Sequence, residues 1–286
     1  MGRDLLVDTS FDVRTDAGGK DPDSHSKTLR RYHQLLWSKP LPGGATFNLD
    51  ASLHHTSDVG DFWMSSDTIV HTYSRWLRPA RLVDVVRQVP PSEVNDFYDL
   101  ACTVGAYLVF PLGVRVDGKW GLSINGARGL HPRIRDRFDL TLECIRLHYL
   151  GGTSPLAGVL ARHRTFFDLF ADFRGYVDHF LLNDLVAGDY ASVKFLTAFV
   201  DFAGDPLPAA SGAESGAYMS GSMYFIRARN ERIRRYAADL PDAPAVLRQL
   251  PLRPTALPPK RGSAGGPNGG VPGPATTRSV SRSRES

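Results

Sequence analysis

Apolar residues recur along this chain at two periods, and their spacing predicts most of its elements. Leu29, Tyr32, His33, Leu36 and Trp37 fall at helical spacing behind Ser24 and Ser26, either of which can cap a helix. Lys39-Pro40-Leu41-Pro42-Gly43-Gly44 ends that helix. Upstream, Leu5 to Val13 reads as a short edge strand and Asp16 to Ser24 as a loop. Residues 46–76 carry mixed signals. Phe62-Trp63-Met64 suggests a strand, and Ser65-Ser66-Asp67 suggests the cap of a helix toward Trp76, against the β-branched Thr68, Ile69 and Val70. Helices are predicted over Ala80–Val89 and Ser92–Val104, split by Pro90-Pro91. Tyr107 to Phe110 reads as a buried strand, Asp117-Gly118 as a hairpin turn, and Trp120 to Asn125 as the returning strand.

Further on, Pro132 suits the first turn of a helix that runs to about Tyr149 and stops at Gly151-Gly152. A second runs from Ser154-Pro155 to about Ala171, and a third from Arg174 to Val186, closed by Gly188. Val193 to Leu196 reads as a strand, Gly204 to Gly212 as a loop, and a last helix ends near Asp239 despite Gly216 and Gly221. The pattern predicts an α+β fold, predominantly helical, with a small sheet that includes a hairpin near residues 106–125. Residues 1–245 read as a single globular domain. Residues 246–286 read as a disordered basic tail, because beyond Pro251 the chain is Pro, Gly, Ser and Arg with few large apolar side chains.

Charge changes the picture only in that tail. The 286 residues hold 34 basic and 30 acidic side chains, net +4. From Pro251 onward there are six basic residues and one acid, which leaves 28 basic against 29 acidic side chains in residues 1–250. The body is therefore close to neutral and gives no support to a polyanion-binding surface. Arg278, Arg282 and Arg284 in the tail fit weak, nonspecific contact with polyanions. Cys102 and Cys144 stand in apolar surroundings without metal or disulfide spacing, as suits a reducing compartment. No apolar run approaches the roughly eighteen residues of a membrane span, and the N-terminal stretch is broken by acids. Together these predict a cytoplasmic protein with no membrane partner.

Three motifs come close to known chemistry and fall short. Gly113 to Lys119 lacks the hydroxyl residue a phosphate loop needs after its lysine, since Trp120 stands there, and a hairpin accounts for the stretch. His54-His55 with Asp58 and Asp61 lacks metal-ligand spacing and reads as a solvated loop. Gly121-Leu122-Ser123-Ile124-Asn125 has Asn where a nucleophile elbow needs Gly. No motif requires a cofactor or a metal.

One constellation remains. On the helix to Tyr149, the apolar face of Phe138, Leu142, Ile145 and Tyr149 lies roughly opposite Leu140 and Leu147. Between them runs a seam of Asp136, Asp139, Glu143 and Arg146. Asp139 and Glu143 are like charges one turn apart and need compensation. The Gly-flanked Asn125-Gly126-Ala127-Arg128-Gly129 reads as a strand-to-helix loop with hydrogen-bond donors at Asn125 and Arg128, a candidate anion pocket. The alternative is a structural loop whose Arg128 pairs with the seam.

Several longer stretches carry a resemblance. Ser65-Ser66-Asp67, Ile124 to Gly129, Asp136 to Arg146, Asp172 to Val177, Phe180 to Leu182 and Asp184 to Val186 resemble an uncharacterised bacterial family known only as a domain of unknown function. Asp23 to Pro42 and Ile226 to Asn230 resemble it as well, so the likeness spans roughly residues 10–236. It implies a single domain without the tail and transfers no activity. Three functions stay open, and whether the protein is an enzyme is among the questions they leave. The first is a binding or regulatory protein with a pocket for a small anionic or nucleotide-like ligand, built from Asn125, Arg128, Asp136, Asp139, Glu143 and Arg146. The second is a divalent-metal-dependent, nuclease-like hydrolase using Asp136, Asp139 and Glu143. The third is a structural protein in which these charges are internal.

Overall fold

A computed structural model describes residues 7–44, 48–49, 54–57, 60–69, 80–112, 115–116, 119–131, 134, 137–203 and 211–239. The expected tail from residue 246 lies outside them. In chain order the helices are α1 (Val13–Asp16), α2 (Pro22–His25), α3 (Lys27–Trp37), α4 (Ala80–Val86), α5 (Pro91–Leu100), α6 (Ile124–Leu130), α7 (Phe138–Tyr149), α8 (Ala157–Arg162), α9 (Arg164–Asp168), α10 (Phe173–His179) and α11 (Gly212–Asp239). The strands are β1 (Asn48–Leu49), β2 (His54–Ser57), β3 (Gly60–Thr68), β4 (Tyr107–Pro111), β5 (Arg115–Val116) and β6 (Lys119–Trp120). The fold is α+β and predominantly helical, as the pattern predicts. β1-β2-β3-β4 form an antiparallel sheet in chain order, and β5-β6 a separate hairpin pairing Val116 with Lys119.

α3 is the central helix. Ser26 caps it by accepting from the Leu29 amide at 3.0 Å. From Leu29 to Trp37 every side chain except Arg31 is buried. Trp37 packs edge-on against Phe166 and Phe180, and Phe170 and Tyr176 complete an aromatic cluster with α9 and α10. β4 is buried along its whole length and pairs with β3 from Met64↔Pro111 to Thr68↔Tyr107. α11 packs against α4, α5 and the 3-10 turn Val104–Ala106.

Several local readings change. Val7 to Asp12 forms turns rather than a strand, and the Val13 amide that follows donates to Cys102 O at 3.0 Å. The span read as a loop over Asp16–Ser24 instead holds the end of α1 and most of α2. Ser65 to Thr68 extends β3 instead of capping a helix, because pairing with β4 satisfies its backbone. His54 and His55 sit on strand β2 rather than in a loop, while Asp58 lies outside the described residues. The returning strand stops at Trp120, and the expected 125–129 loop is helix α6, capped where Ser123 accepts from the Gly126 amide at 3.0 Å. α7 starts at Phe138, and Pro132 and Asp136 lie outside the described residues. The helix expected from Ser154 to Ala171 is split at His163 into α8 and α9, and Val193 makes only an isolated bridge to Val186.

Candidate functional site

A helix buried on nearly every side should be apolar, yet α3 carries Arg30, His33 and Gln34 on one face, all buried. Buried polar groups need partners, and those of His33 come from β3 and α2. Its Nε2 lies 2.6 Å from Ser66 Oγ and 3.7 Å from Asp23 Oδ1. The other Asp23 oxygen, Oδ2, accepts from the Ser66 amide at 2.9 Å. The register explains why a carboxylate stands there. Among the described residues β2 pairs with β3 as far as His54↔Trp63. Beyond it, Trp63 O and the Ile69 amide bond toward β4, so the intervening even-numbered amides face the other edge of β3. Asp23, at the start of α2, caps that edge at Ser66 and blocks further strand pairing.

Asp23 Oδ1, His33 Nδ1 and Gln34 Oε1 are each buried with no hydrogen-bond partner among the described residues. Burial also holds the Arg30 guanidinium below its ordinary pKa.

Ser65 points to the opposite face of β3 from Ser66, and there it meets α6. Asn125 Nδ2 lies 3.3 Å from Ser65 Oγ and 3.4 Å from Ser65 O, and its Oδ1 is buried without a partner among the described residues. Arg128 is fully buried. It donates to Thr68 O (3.2 Å), Ile69 O (3.4 Å), Asp67 Oδ2 (3.4 Å) and Thr141 Oγ1 (3.4 Å). It therefore clamps α6 to the end of β3 and to α7, without touching Asp139 or Glu143.

Those two seam carboxylates each have an arginine of their own. Asp139 is fully buried. Arg137 Nε reaches its Oδ1 at 2.9 Å and Arg137 Nη2 its Oδ2 at 2.7 Å, while the Leu196 amide adds a bond at 2.9 Å. Glu143 accepts from Arg146 at 2.7 and 2.8 Å, and Arg146 also donates to Ala191 O at 3.1 Å. Asn125 and Arg128 thus gather at β3, whereas Asp139, Glu143 and Arg146 tie α7 to residues 191–196. Asp136 lies outside the described residues. Among the described residues, no three His, Cys, Asp or Glu side chains are grouped as a metal ion would require.

Nothing in the local pattern singles out His33, whose spacing is that of a core position, and its partner Ser66 is 33 residues away. The signal that bears on the site is the resemblance, which includes both Asp23 to Pro42 and Ser65-Ser66-Asp67. An open groove of about 560 Å³ elsewhere on the surface is lined in part by Asp96, Asp99 and Glu231. There Glu231 is already paired with Arg234 and Arg235.

The profile of a family of unknown function, DUF6994, matches residues 7–233. No curated protein and no solved structure shows a match.

Proposed function

The chain belongs to this family of unknown function, and from its geometry we propose a binding or regulatory protein that takes a small polar ligand where the polar face of α3 meets Ser66 of β3. The observation that carries this reading is the set of three unpartnered buried atoms, Asp23 Oδ1, His33 Nδ1 and Gln34 Oε1. Each such atom costs about 1–3 kcal/mol, and helices α2 and α3, if selected for packing alone, would carry apolar side chains in their place. The proposed pocket lies on α3 and not where it was expected, at Asn125, Arg128 and the α7 seam. The anion pocket expected at Arg128 loses its support because that guanidinium is directed at Thr68 O, Ile69 O and Asp67. The metal-hydrolase alternative loses support because both Asp139 oxygens are engaged by Arg137. A purely structural role accounts for the seam and leaves the α3 acceptors unexplained.

The 2.6 Å contact between Ser66 and His33 is within reach of a nucleophile and its base. Asp23, however, stands beside the same nitrogen as Ser66 instead of holding Nδ1. The carboxylate then favours a proton on Nε2, which leaves His33 a donor to Ser66 and not its base. The site is read as a binding site for that reason.

Two free, buried cysteines support a cytoplasmic setting. Among the described residues no helix is long and apolar enough to cross a membrane. The basic tail adds weak polyanion contact.

Gln34→Met tests the binding reading without knowledge of the ligand. Methionine keeps the length and removes the unpartnered oxygen, so the urea midpoint should rise by the equivalent of about 1 kcal/mol. A loss of 1 kcal/mol or more would mean that Gln34 holds the fold together and would remove the reason for placing a ligand there.

A further inference from the structure

We infer that the ligand of the α3–β3 site is an organic hydrogen-bond donor of the amine, amidine or guanidine type, with one N–H group directed at Asp23. This inference rests on the binding reading above. Its basis is the direction of the hydrogen bonds that remain unmade.

Asp23 Oδ1 is a carboxylate oxygen and can only accept while ionised. In the neutral ring with its proton on Nε2, His33 Nδ1 is also an acceptor. Ser66 Oγ at 2.6 Å and Asp23 Oδ1 at 3.7 Å both face Nε2. A proton is favourable on the nitrogen that faces a carboxylate, so the other nitrogen presents its lone pair. Gln34 adds an oxygen, and its amide can turn to meet a ligand of either sense. The Ser66 hydroxyl adapts as well. The fixed groups therefore ask for donors, and phosphate or carboxylate ligands, which are acceptors, would meet lone pairs with lone pairs.

Net charge alone does not decide the class. Arg30 is buried on the same face of α3, one turn from His33. A buried cation on that face argues against polycations and for a ligand with a single planar or compact donor head. Of the Asp23 oxygens, Oδ2 is already engaged by the Ser66 amide. One N–H to Oδ1 satisfies what is left of Asp23, and His33 Nδ1 and Gln34 Oε1 likewise call for donors.

The test is a thermal-shift titration of the full chain with benzamidine and agmatine on one side and inorganic phosphate and ATP on the other. The expected result is a melting temperature that rises with benzamidine or agmatine, by about 5 °C at a hundredfold excess over Kd. The rise is lost in Asp23→Asn, which reverses the sense of one hydrogen bond, and reduced in Gln34→Met. Phosphate and ATP should leave the wild type unmoved. Stabilisation by the anions alone, abolished in the same variants, would overturn the donor class while leaving the site in place. Stabilisation by benzamidine or agmatine that persists in both variants but disappears in Asp96→Asn/Asp99→Asn would assign these ligands to the acidic groove and overturn the inference. No shift with any probe would overturn it too, and the Gln34→Met midpoint would then decide separately whether the binding reading survives.

Discussion

Lys39 is the residue at which burial and charge conflict most openly. Its Nζ donates to Asp178 O at 2.7 Å and His179 O at 2.8 Å, and it lies 4.6 Å from the centre of the Tyr236 ring. Those carbonyls end α10, so the lysine acts as a cation at a helix C-terminus. Burial, with a smaller contribution from the nearby Arg229 charge, lowers its pKa from 10.5 to about 8, while the Asp178 charge opposes the fall. The sign follows from proton counts. Between about pH 8 and 10.5 the unfolded lysine holds its proton and the folded one has lost it, so stability from this group rises with pH. From about pH 7.5 to 9.5 the gain is about 2 kcal/mol. Cys102 and Cys144 act in the opposite direction, because burial raises both thiols from 9.0 to about 12. The measurement is therefore a difference. Urea midpoints of wild type and Lys39→Met, compared at both pH values, should show the wild type gaining on the variant as pH rises. Parallel lines would mean that Lys39 is charged in the fold up to its ordinary pKa.

At the scale of elements, α10 shows how tightly a short helix can be specified. Asp172 caps it, accepting from the Gly175 amide at 2.7 Å. The chain enters from Ala171 with φ at 65°, a left-handed conformation that is rare without glycine. That entry brings the backbone so close that a Cβ on Gly175 would lie 2.0 Å from Phe170 O. Gly175→Ala should therefore cost more than about 3 kcal/mol, and Asp172→Ala about 1 kcal/mol. Urea denaturation of the two variants checks the order, and equal losses would mean that the backbone at residue 170 gives way freely. Asp172 to Val177 is among the stretches that carry the family resemblance, but the contact with Phe170 is invisible in the sequence because it depends on a turn. The elements that were legible are those whose signals are local. α3 has its cap and spacing, β4 its apolar run, and α11 its long register to Asp239. The end of β3 was not legible, since Ser65-Ser66-Asp67 resembles a helix cap until β4, about forty residues on, supplies its backbone partners. α6 was not legible because Gly126 and Gly129 read as loop, although Ser123 caps it and Ile124 and Arg128 bury one face. The candidate site failed in the same way. Asn125 and Arg128 stood out by chemistry, but the groups that place them, Ser65 and Thr68, come from a strand that local pattern hides.

Over the whole molecule, Arg229 on α11 joins the parts. It is fully buried, and its five hydrogen bonds go to Phe180 O twice (3.0 and 3.2 Å), Gly105 O (2.9 Å), Tyr107 O (2.7 Å) and the Tyr32 hydroxyl. One guanidinium thus holds the end of α10, the edge of β4 and the middle of α3 to α11, with carbonyl dipoles in place of a carboxylate. Burial lowers its pKa accordingly. Two effects compete when it is removed. Losing the buried charge recovers a desolvation cost of several kcal/mol. Losing the donors leaves three backbone carbonyls unpaired in the core, at about 1–3 kcal/mol each, together with a cavity the size of the side chain. The backbone carbonyls belong to three packed elements and cannot turn to solvent, so the second effect should win. Arg229→Met should lower stability by about 3–5 kcal/mol. Arg229→Lys should recover only part of this, because an ammonium cannot span carbonyls on both sides of a planar fork. The loss should also reach the proposed ligand site, since Tyr32 is the neighbour of His33 on α3. In Arg229→Lys, if it folds, the thermal response to benzamidine should weaken while Asp23 and Gln34 remain intact. An Arg229→Met protein with wild-type stability would mean that the charge, and not its hydrogen bonds, dominates at the centre of the fold. α11 would then be held by its apolar contacts with α4 and α5.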